Sequence, residues 1–137
     1  MKDEGSNSFL RFLIYLWTFP TTCVGLLFIP LAMLGGGKVQ IVQGVLEIHG
    51  QWIAWLLRTL VPIPGGASAM TLGHVVIARD QACLDSSREH ERVHVRQCER
   101  WGPFFIPAYL LASLLVKIRG LDAYRDNPFE REAYERS

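Results

Sequence analysis

The sequence predicts a membrane-associated α+β protein that has an N-terminal transmembrane helix, a small β-sheet and further helices. Three observations lead to this fold class. Residues 12–34 carry no charge, the runs at 38–48 and 70–79 are rich in β-branched residues, and helical patterns follow from about residue 86 onward. A long apolar run indicates a membrane segment, and β-branched runs bounded by turn residues indicate strands.

Length and composition limit the possible functions. The chain has 137 residues, half of them hydrophobic, and its mean hydropathy is positive. This is enough for one domain with a modest core. The net charge of +1 gives no basic surface for nucleic acid, so no nucleic-acid partner is expected. Three cysteines, an odd number, argue against a disulfide framework.

Residues 9–35 are predicted to form the transmembrane helix, after a flexible N-terminus at 1–8. The charge-free run is long enough to cross a hydrocarbon layer of about 30 Å. Membrane helices tolerate proline better than soluble helices do, which accommodates Pro20 and Pro30. A signal peptide is disfavoured because its apolar region is only roughly 7–15 residues long. A very apolar buried helix is the alternative interpretation.

The orientation of this segment in a membrane is not predicted. Lys2 and Arg11 precede the segment, and Lys38 and Arg58 follow it. Because positive charge on one side sets membrane orientation, this near balance leaves the side of the remaining chain open.

Residues 36–137 are predicted to form one small domain that begins with β-structure. Residues 38–48 indicate a strand, or a short hairpin around Gly44. Residues 51–61 indicate a short helix that lies either on the membrane surface or in the core. Residues 70–79 indicate one strand that stops at Asp80.

The second half of this domain is predicted to be helical. The Ser86 to Glu89 spacing is a capping-box pattern and predicts a helix at about 86–101, which Gly102 and Pro103 end. The uncharged stretch that follows predicts a buried or membrane-apposed apolar helix at 103–118. Asn127 and Pro128 are the N-cap and first residue of a short last helix.

Residues 90–94 read HERVH and form the strongest motif of the chain. On a helical wheel both histidines point to the centre of an apolar side, and Glu91 is the one acid beside them. The other charges fall together on a solvated side and receive no functional role: Glu89, Arg92, Arg96, Glu99 and Arg100. An ionised carboxylate on an inward face needs a partner, which a metal with a bound water supplies.

The HERVH spacing fits hydrolytic zinc chemistry. Residues i and i+4 lie one turn apart on one helix face, so His90 and His94 can bind one Zn²⁺. Zinc lowers the pKa of its bound water to about 7 in such sites. Glu91 can take a proton from that water and pass it to the leaving amine, as general base and then acid.

A catalytic zinc keeps three protein ligands and one open position, so one more ligand is required. No histidine follows His94, and Glu99 is excluded because it faces the solvated side of its helix. His49 and His74 lie upstream. The other downstream candidates are carboxylates: Asp122, Asp126, Glu130, Glu132 and Glu135.

HERVH followed by NPFEREAY resembles the gluzincin metallopeptidases, in particular the small minigluzincins. The resemblance covers residues 70–135. In that group the third zinc ligand is a Glu on a second helix, often within E-x-x-A-D, which implies Glu130 here, with Glu132 as the alternative. Tyr134 stands where the family often has Asp. Glu130 is also the N3 residue after Asn127, so it could simply cap its helix.

By the same resemblance, the strand at 70–79 is an edge strand that pairs with an extended substrate. His74 could then contact substrate or a transition-state oxyanion, although a histidine in a strand is more often an ordinary half-buried residue. Tyr109 and Tyr124 are further candidate oxyanion donors.

The sequence therefore predicts a membrane-anchored zinc metallopeptidase, an integral and single-pass membrane protein with further membrane-apposed segments. The partners expected are a peptide or protein substrate, membrane lipid and, if the enzyme is latent, a protein activator. One alternative is a non-catalytic membrane protein in which a structural metal site serves a scaffold or assembly role. A weaker alternative is a heme or other metal protein that uses both histidines without hydrolysis.

Overall fold

The computed structural model describes residues 4–137 and has a mixed α+β fold. Helices surround one small sheet, and a 3₁₀ turn at Gly102–Phe104 separates two of them. The helices are α1 Glu4–Leu26, α2 Phe28–Leu34, α3 Gln51–Thr59, α4 Gln81–Trp101, α5 Phe105–Ile118 and α6 Pro128–Arg136. The strands are β1 Lys38–Val42, β2 Val45–His49, β3 Ala69–Leu72 and β4 Val75–Ala78.

The sheet has four strands in the order β1-β2-β4-β3. β1 and β2 are antiparallel and join through a two-residue loop, Gln43 and Gly44, both with positive φ. This geometry is typical of a tight hairpin turn, and it confirms the hairpin predicted around Gly44. β2 runs parallel to β4, so α3 crosses between them, and β3 forms the far edge.

The prediction of one strand at 70–79 was wrong, because this stretch folds back as the β3–β4 hairpin. Leu72 pairs with Val75, which leaves Gly73 and His74 in the turn. Gly73 has a φ of 70°, and a Cβ there would lie 2.5 Å from the backbone nitrogen of Thr22 on α1. The alternating β-branched residues indicated strand, but the glycine at position 73 decided the reversal.

The sheet has an apolar cluster on each face. Val75 and Ile77 of β4 pack with Ile48, Ile53 and Leu57 toward α2 and α3. Their neighbours on β4 point to the other face and pack against α4, in a second cluster made by Val45, Val76, Ala78, Leu84 and Val95. This two-residue alternation places α4 flat on the sheet.

The predicted hydrophobic helix is present as two pieces, α1 and α2, separated at Leu27. Pro30 has no N–H to donate to the carbonyl of Leu26, which accounts for the interruption. Helix begins at Glu4, and the first part of the predicted flexible N-terminus, residues 1–3, lies outside the described residues.

α1 packs closely on the rest of the fold. The hydroxyl of Thr21 donates to the carbonyl of Gly102 at 2.8 Å, and the amide of His74 donates to the hydroxyl of Thr22 at 3.0 Å. Its opposite side carries exposed large apolar residues: Phe9, Leu10, Phe12, Leu13, Leu16, Trp17, Phe19 and Val24. The helix is therefore docked along one side and apolar on the other.

α5 is mostly exposed. Only Phe105 and Val116 of this helix are buried, and five other apolar residues face outward: Leu110, Leu111, Leu114, Leu115 and Ile118. α3 confirms the short helix predicted for 51–61. Ile53, Ala54 and Leu57 are buried, while Trp52 and Trp55 are about half exposed.

Two helical stretches of the described chain are long and apolar enough to cross a membrane, Asn7–Leu34 and Gln81–Ile118. The core helix of a soluble protein passes the same test of length and composition.

Candidate metal centre

The motif helix α4 starts five residues earlier than the capping-box pattern predicted. Asp80 is the N-cap, and its carboxylate accepts a hydrogen bond from the backbone N–H of Cys83 at 2.8 Å. The hydroxyl of Ser86 instead bonds back to the carbonyl of Cys83. An Asp with extended backbone caps a helix as well as Ser does, so the Ser86 pattern was a coincidence of spacing.

Two charges assigned to the solvated side of α4 are turned inward. The side chain of Arg92 is only 13% exposed, and its Nη2 lies 3.1 Å from Oε2 of Glu47, a buried carboxylate on β2. Arg88 holds the same carboxylate at 2.8 Å. Glu99 lies 2.9 Å from His74 and is also partly buried. The helical wheel gives the direction of each side chain, but it could not show that the buried Glu47 of β2 lies on the side to which Arg92 points.

The two motif histidines meet one carboxylate from α6. The Nε2 atoms of His90 and His94 lie 3.2 Å apart. Oε2 of Glu130 lies 3.1 Å from the first and 3.3 Å from the second. Three potential ligand atoms thus converge within 4.8 Å of one another, and His94 and Glu130 are buried.

This donor set fits a tetrahedral metal ion. A zinc ion with Zn–N distances of about 2.0 Å holds tetrahedral ligand atoms about 3.3 Å apart. The three observed separations, 3.1, 3.2 and 3.3 Å, are close to that value. Two imidazoles and one carboxylate also form a ligand set that catalytic zinc sites use. The residues present are therefore compatible with Zn²⁺, although the cluster does not identify the metal.

Glu130 is held from both oxygens. Its Oε1 accepts a hydrogen bond from the hydroxyl of Tyr109 at 2.6 Å, which leaves Oε2 for the histidines. Burial opposes ionisation of this carboxyl, but the hydrogen bonds from His90, His94 and Tyr109 outweigh it and lower the pKa of Glu130 to about 2. Glu130 is therefore a carboxylate, the form that binds metals.

Asn127 fixes the helix that carries Glu130. Its Oδ1 accepts the backbone N–H of Phe129, while its Nδ2 donates to the hydroxyl of Ser113 at 2.7 Å on α5. The predicted N-cap and the Pro128 start of α6 are thereby confirmed. Since Asn127 caps the helix, Glu130 is free to turn toward α4.

Glu132, the alternative third ligand, lies elsewhere. Its carboxylate accepts hydrogen bonds from Gln97 at 2.8 Å and from Arg100 at 2.8 Å. Residues i and i+2 point away from each other on a helix, so Glu130 and Glu132 cannot both face the histidines.

Glu91 is buried beside the cluster and faces the edge strand. Its Oε2 accepts a hydrogen bond from the hydroxyl of Thr71 on β3 at 2.7 Å. Burial raises the pKa of Glu91, and the charge of His94 and the Thr71 hydrogen bond offset part of this rise. Burial also disfavours the cationic form of His94, but its hydrogen bond to Glu130 raises the pKa of His94 overall.

Two site residues were missed from the sequence. Thr71 was read only as part of a strand, and Gln97 was not singled out. Oε1 of Gln97 lies 2.8 Å from Nδ1 of His94. The signal for Gln97 was available, because a polar residue three positions after His94 shares its helix face. Thr71 carried no such signal, since its contact depends on how β3 packs on α4.

The structure does not bring His74 to the cluster. Its Nε2 lies 2.9 Å from Glu99, and its ring stacks on Tyr15 of α1 with centroids 3.9 Å apart. Tyr109 and Tyr124 were also candidates for substrate contact. The hydroxyl of Tyr109 donates to Glu130, and the hydroxyl of Tyr124 lies 3.0 Å from that of Tyr134. Tyr134, at the position where the resemblance implies Asp, packs its ring 4.5 Å from that of His90.

An open cavity of about 700 Å³ is separated from the cluster by Tyr134, and none of His90, His94 and Glu130 lines it. Tyr134 both lines this cavity and contacts His90. The remaining walls come from the loop before β3 and the turn before α6: Ile63, Pro64, Asp122, Tyr124 and Arg125. The cavity is large enough for a small ligand or a peptide segment.

No family model, curated protein or solved structure matches this chain. The resemblance to gluzincins therefore depends on the HERVH and NPFEREAY motifs and on the residues around them.

Proposed function

We propose that this chain is a zinc-dependent metallopeptidase anchored to a membrane. The observation that carries the proposal is the convergence of His90, His94 and Glu130 at tetrahedral separations, with Glu91 buried on the same helix. A purely structural use of two histidines would not require an inward carboxylate between them.

Each residue has a distinct task in this proposal. His90, His94 and Glu130 hold the metal, and Tyr109 keeps the Glu130 carboxylate turned toward the histidines. Zinc bound there would supply Lewis-acid chemistry to a water molecule and to the scissile carbonyl. Glu91 accepts the proton of the attacking water and returns it to the leaving amine. Thr71 orients Glu91 for both transfers through its hydrogen bond.

The surroundings of the cluster favour an extended peptide as substrate. β3 is an edge strand of the sheet, and its residue Thr71 contacts Glu91. An edge strand offers unpaired backbone groups to which a peptide can add as a further strand. The cavity behind Tyr134 has room for a substrate side chain.

Membrane anchoring is supported by which residues are exposed. In each of the two apolar stretches, only 17% of the most apolar window is buried within the fold. A core helix of a soluble protein would be mostly buried. We assign Asn7–Leu34, the stretch that contains most of α1 and all of α2, as the single membrane-spanning segment and α5 as a membrane-apposed helix, because large exposed apolar surfaces of this kind are stable only against lipid or another protein.

The decisive experiment compares Glu91→Gln with Glu89→Gln in the full chain, purified in detergent. Glu89 is an exposed acid on the same helix and provides the matched control. Glu91→Gln should retain stoichiometric zinc and lower the rate of peptide cleavage by about 10²–10⁴-fold, the range for loss of general acid–base catalysis. Glu89→Gln should change neither quantity. Wild-type cleavage rates in Glu91→Gln would contradict the mechanism.

A second candidate function is a non-catalytic scaffold with a structural metal. The observation in its favour is that the cluster joins α4 to α6, and through Tyr109 to α5, so a bound metal would fasten three helices together. In that case the wild type would cleave no peptide, Glu91→Gln would be silent, and His90→Ala would lower the thermal stability measured in the presence of zinc.

A further inference from the structure

Gln97 lies at a fully buried position between α4 and α6, directly beside the metal cluster. Its Nε2 donates to two acceptors of α6, the carbonyl of Phe129 at 2.9 Å and the carboxylate of Glu132 at 2.8 Å. Its Oε1 faces His94 at 2.8 Å. All of the hydrogen-bonding atoms of this amide thus have partners.

These partners fix which way the amide points. A backbone carbonyl and a carboxylate can only accept hydrogen bonds, so the NH₂ group of Gln97 must face α6. The amide oxygen must then face His94, and an amide oxygen can only accept. Nδ1 of His94 therefore carries the proton and donates to Gln97.

The tautomer of His94 follows from this orientation. In a neutral imidazole, one nitrogen donates and the other offers a lone pair. A metal binds the neutral ring, and with the remaining proton on Nδ1 the lone pair of that ring lies on Nε2, the atom that faces His90 and Glu130 at 3.2 and 3.3 Å. Gln97 thereby selects Nε2, rather than Nδ1, as the nitrogen that exchanges its proton for a metal.

We propose that Gln97 is the positioning residue of this centre, which sets the tautomer of His94 and docks the helix that carries Glu130. This inference rests on the proposed metal site. Because Phe129 directly precedes Glu130, the bond from Gln97 to its carbonyl fixes the backbone beside the third ligand. One neutral amide thereby aligns ligands from two helices, and Glu132 keeps that amide from flipping.

The test is a zinc competition titration against a chromophoric chelator, with the full chain in detergent. Gln97→Leu keeps the approximate size but removes both hydrogen-bonding groups, and it should lower zinc affinity about 10–100-fold, as is usual when the outer partner of a metal-binding histidine is lost. Gln51→Leu is the matched control, since it makes the same change at an exposed glutamine on α3, outside the cluster. It should change zinc affinity by less than about threefold.

A paired exchange, Gln97→Glu with Glu132→Gln, separates the tautomer role from helix docking. The new carboxylate at position 97 still accepts the proton on Nδ1 of His94, and the new amide at position 132 donates to that carboxylate. The carbonyl of Phe129 loses its donor. We expect the pair to recover most of the zinc affinity lost in Gln97→Leu while its thermal stability stays lower than that of the wild type.

Imidazole ¹⁵N chemical shifts of the metal-free protein provide a readout that a merely structural role would not change. At a pH where His94 is neutral, the wild type should carry the proton on Nδ1, and Gln97→Leu should show a mixture of tautomers. Unchanged zinc affinity and an unchanged tautomer in folded Gln97→Leu would overturn the inference alone. A wild-type protein that binds no zinc would overturn the proposed function as well.

Discussion

The two longest helices of this protein, α1 and α4, treat polar and apolar residues in opposite ways. α1 directs phenylalanine, leucine and tryptophan outward and buries Thr18 and Thr21 against the fold. α4 directs Arg96, Arg100 and Glu89 outward, and its buried face includes His94, Gln97 and Glu91. The comparison of α1 with α4 shows that the apolar side of a helix is not always the side that packs against the rest of the fold.

The buried polar groups of the two helices are also satisfied differently. On α1 they are hydroxyls that bond to backbone carbonyls, such as Thr18 to Ile14 at 2.8 Å and Thr21 to Gly102 at 2.8 Å. On α4 most of them are charged or chargeable groups that need partners from other elements, as Glu91, His94 and Arg92 have. A buried hydroxyl costs little once bonded, whereas a buried charge demands a built environment. α4 is therefore the helix whose buried side chains depend most on partners from the rest of the fold.

The largest effect should come from charging the exposed side of α1. Leu13 and Leu16 are 42% and 58% exposed, so Leu13→Lys with Leu16→Lys would be harmless in a soluble protein. Within a bilayer each lysine costs about 2.5–3.5 kcal/mol on insertion scales. We expect the variant to leave the membrane fraction on alkaline carbonate extraction.

The matched control places two lysines on the exposed side of α4, as Ala82→Lys with Ser86→Lys. That variant should stay with the membrane. Retention of both variants after extraction would refute Asn7–Leu34 as the membrane-spanning segment.

The next largest effect concerns the charges that α4 buries against β2. Glu47→Gln leaves Arg88 and Arg92 without their carboxylate, and removal of one partner from a buried pair costs about 3–5 kcal/mol. Asp85→Asn removes only the exposed partner of Arg88 and should cost less than about 0.5 kcal/mol. Denaturant unfolding in detergent measures both.

The same carboxyl predicts how stability depends on pH. Burial alone would raise the pKa of Glu47, but Arg88 and then Arg92 lower it below its usual value. Its stabilising contribution is therefore complete above the unfolded pKa of about 4.3 and is lost as the pH falls through the folded pKa. In the wild type, the free energy of unfolding should therefore fall as the pH is lowered from about 6 to about 3, and Glu47→Gln should lose this pH dependence. An unchanged pH dependence in Glu47→Gln would exclude Glu47 as its source.

A smaller effect is expected from Tyr109→Phe, which removes the hydrogen bond to Oε1 of Glu130. The carboxylate can then rotate away from the histidines, so zinc affinity should fall about tenfold, the lower end of the range for an outer-shell partner. Tyr124→Phe loses only an exposed bond to Tyr134 and should bind zinc like the wild type. Equal affinities in both variants would show that Tyr109 does not orient Glu130.

The smallest effect tests where α4 begins. Asp80→Ala removes the N-cap and should cost about 1 kcal/mol in free energy of unfolding. Ser86→Ala lies one turn inside the helix and should cost less than about 0.5 kcal/mol. The reverse order would restore the helix start predicted from the capping-box pattern.

The sequence alone was sufficient wherever a local pattern decides the structure. The hairpin at Gly44, the Asn127–Pro128 helix start and the shared face of His90 and His94 follow from turn chemistry and helical period. The prediction of a single strand at 70–79 failed because the β-branched residues outweighed one glycine in the pattern. The prediction that Arg92 lies on the solvated side of α4 failed, because the sequence does not show whether an arginine contacts water or a buried carboxylate such as Glu47.

Tertiary structure alone decided what depends on two elements distant in sequence. The NPFEREAY stretch offers both Glu130 and Glu132, and only the docking of α6 on α4 places the first beside the histidines and the second beside Gln97. Thr71 reaches Glu91 for the same reason. Helix period fixes the direction of a side chain relative to its own helix, but the partner it meets depends on how that helix packs, and this is set by the whole core.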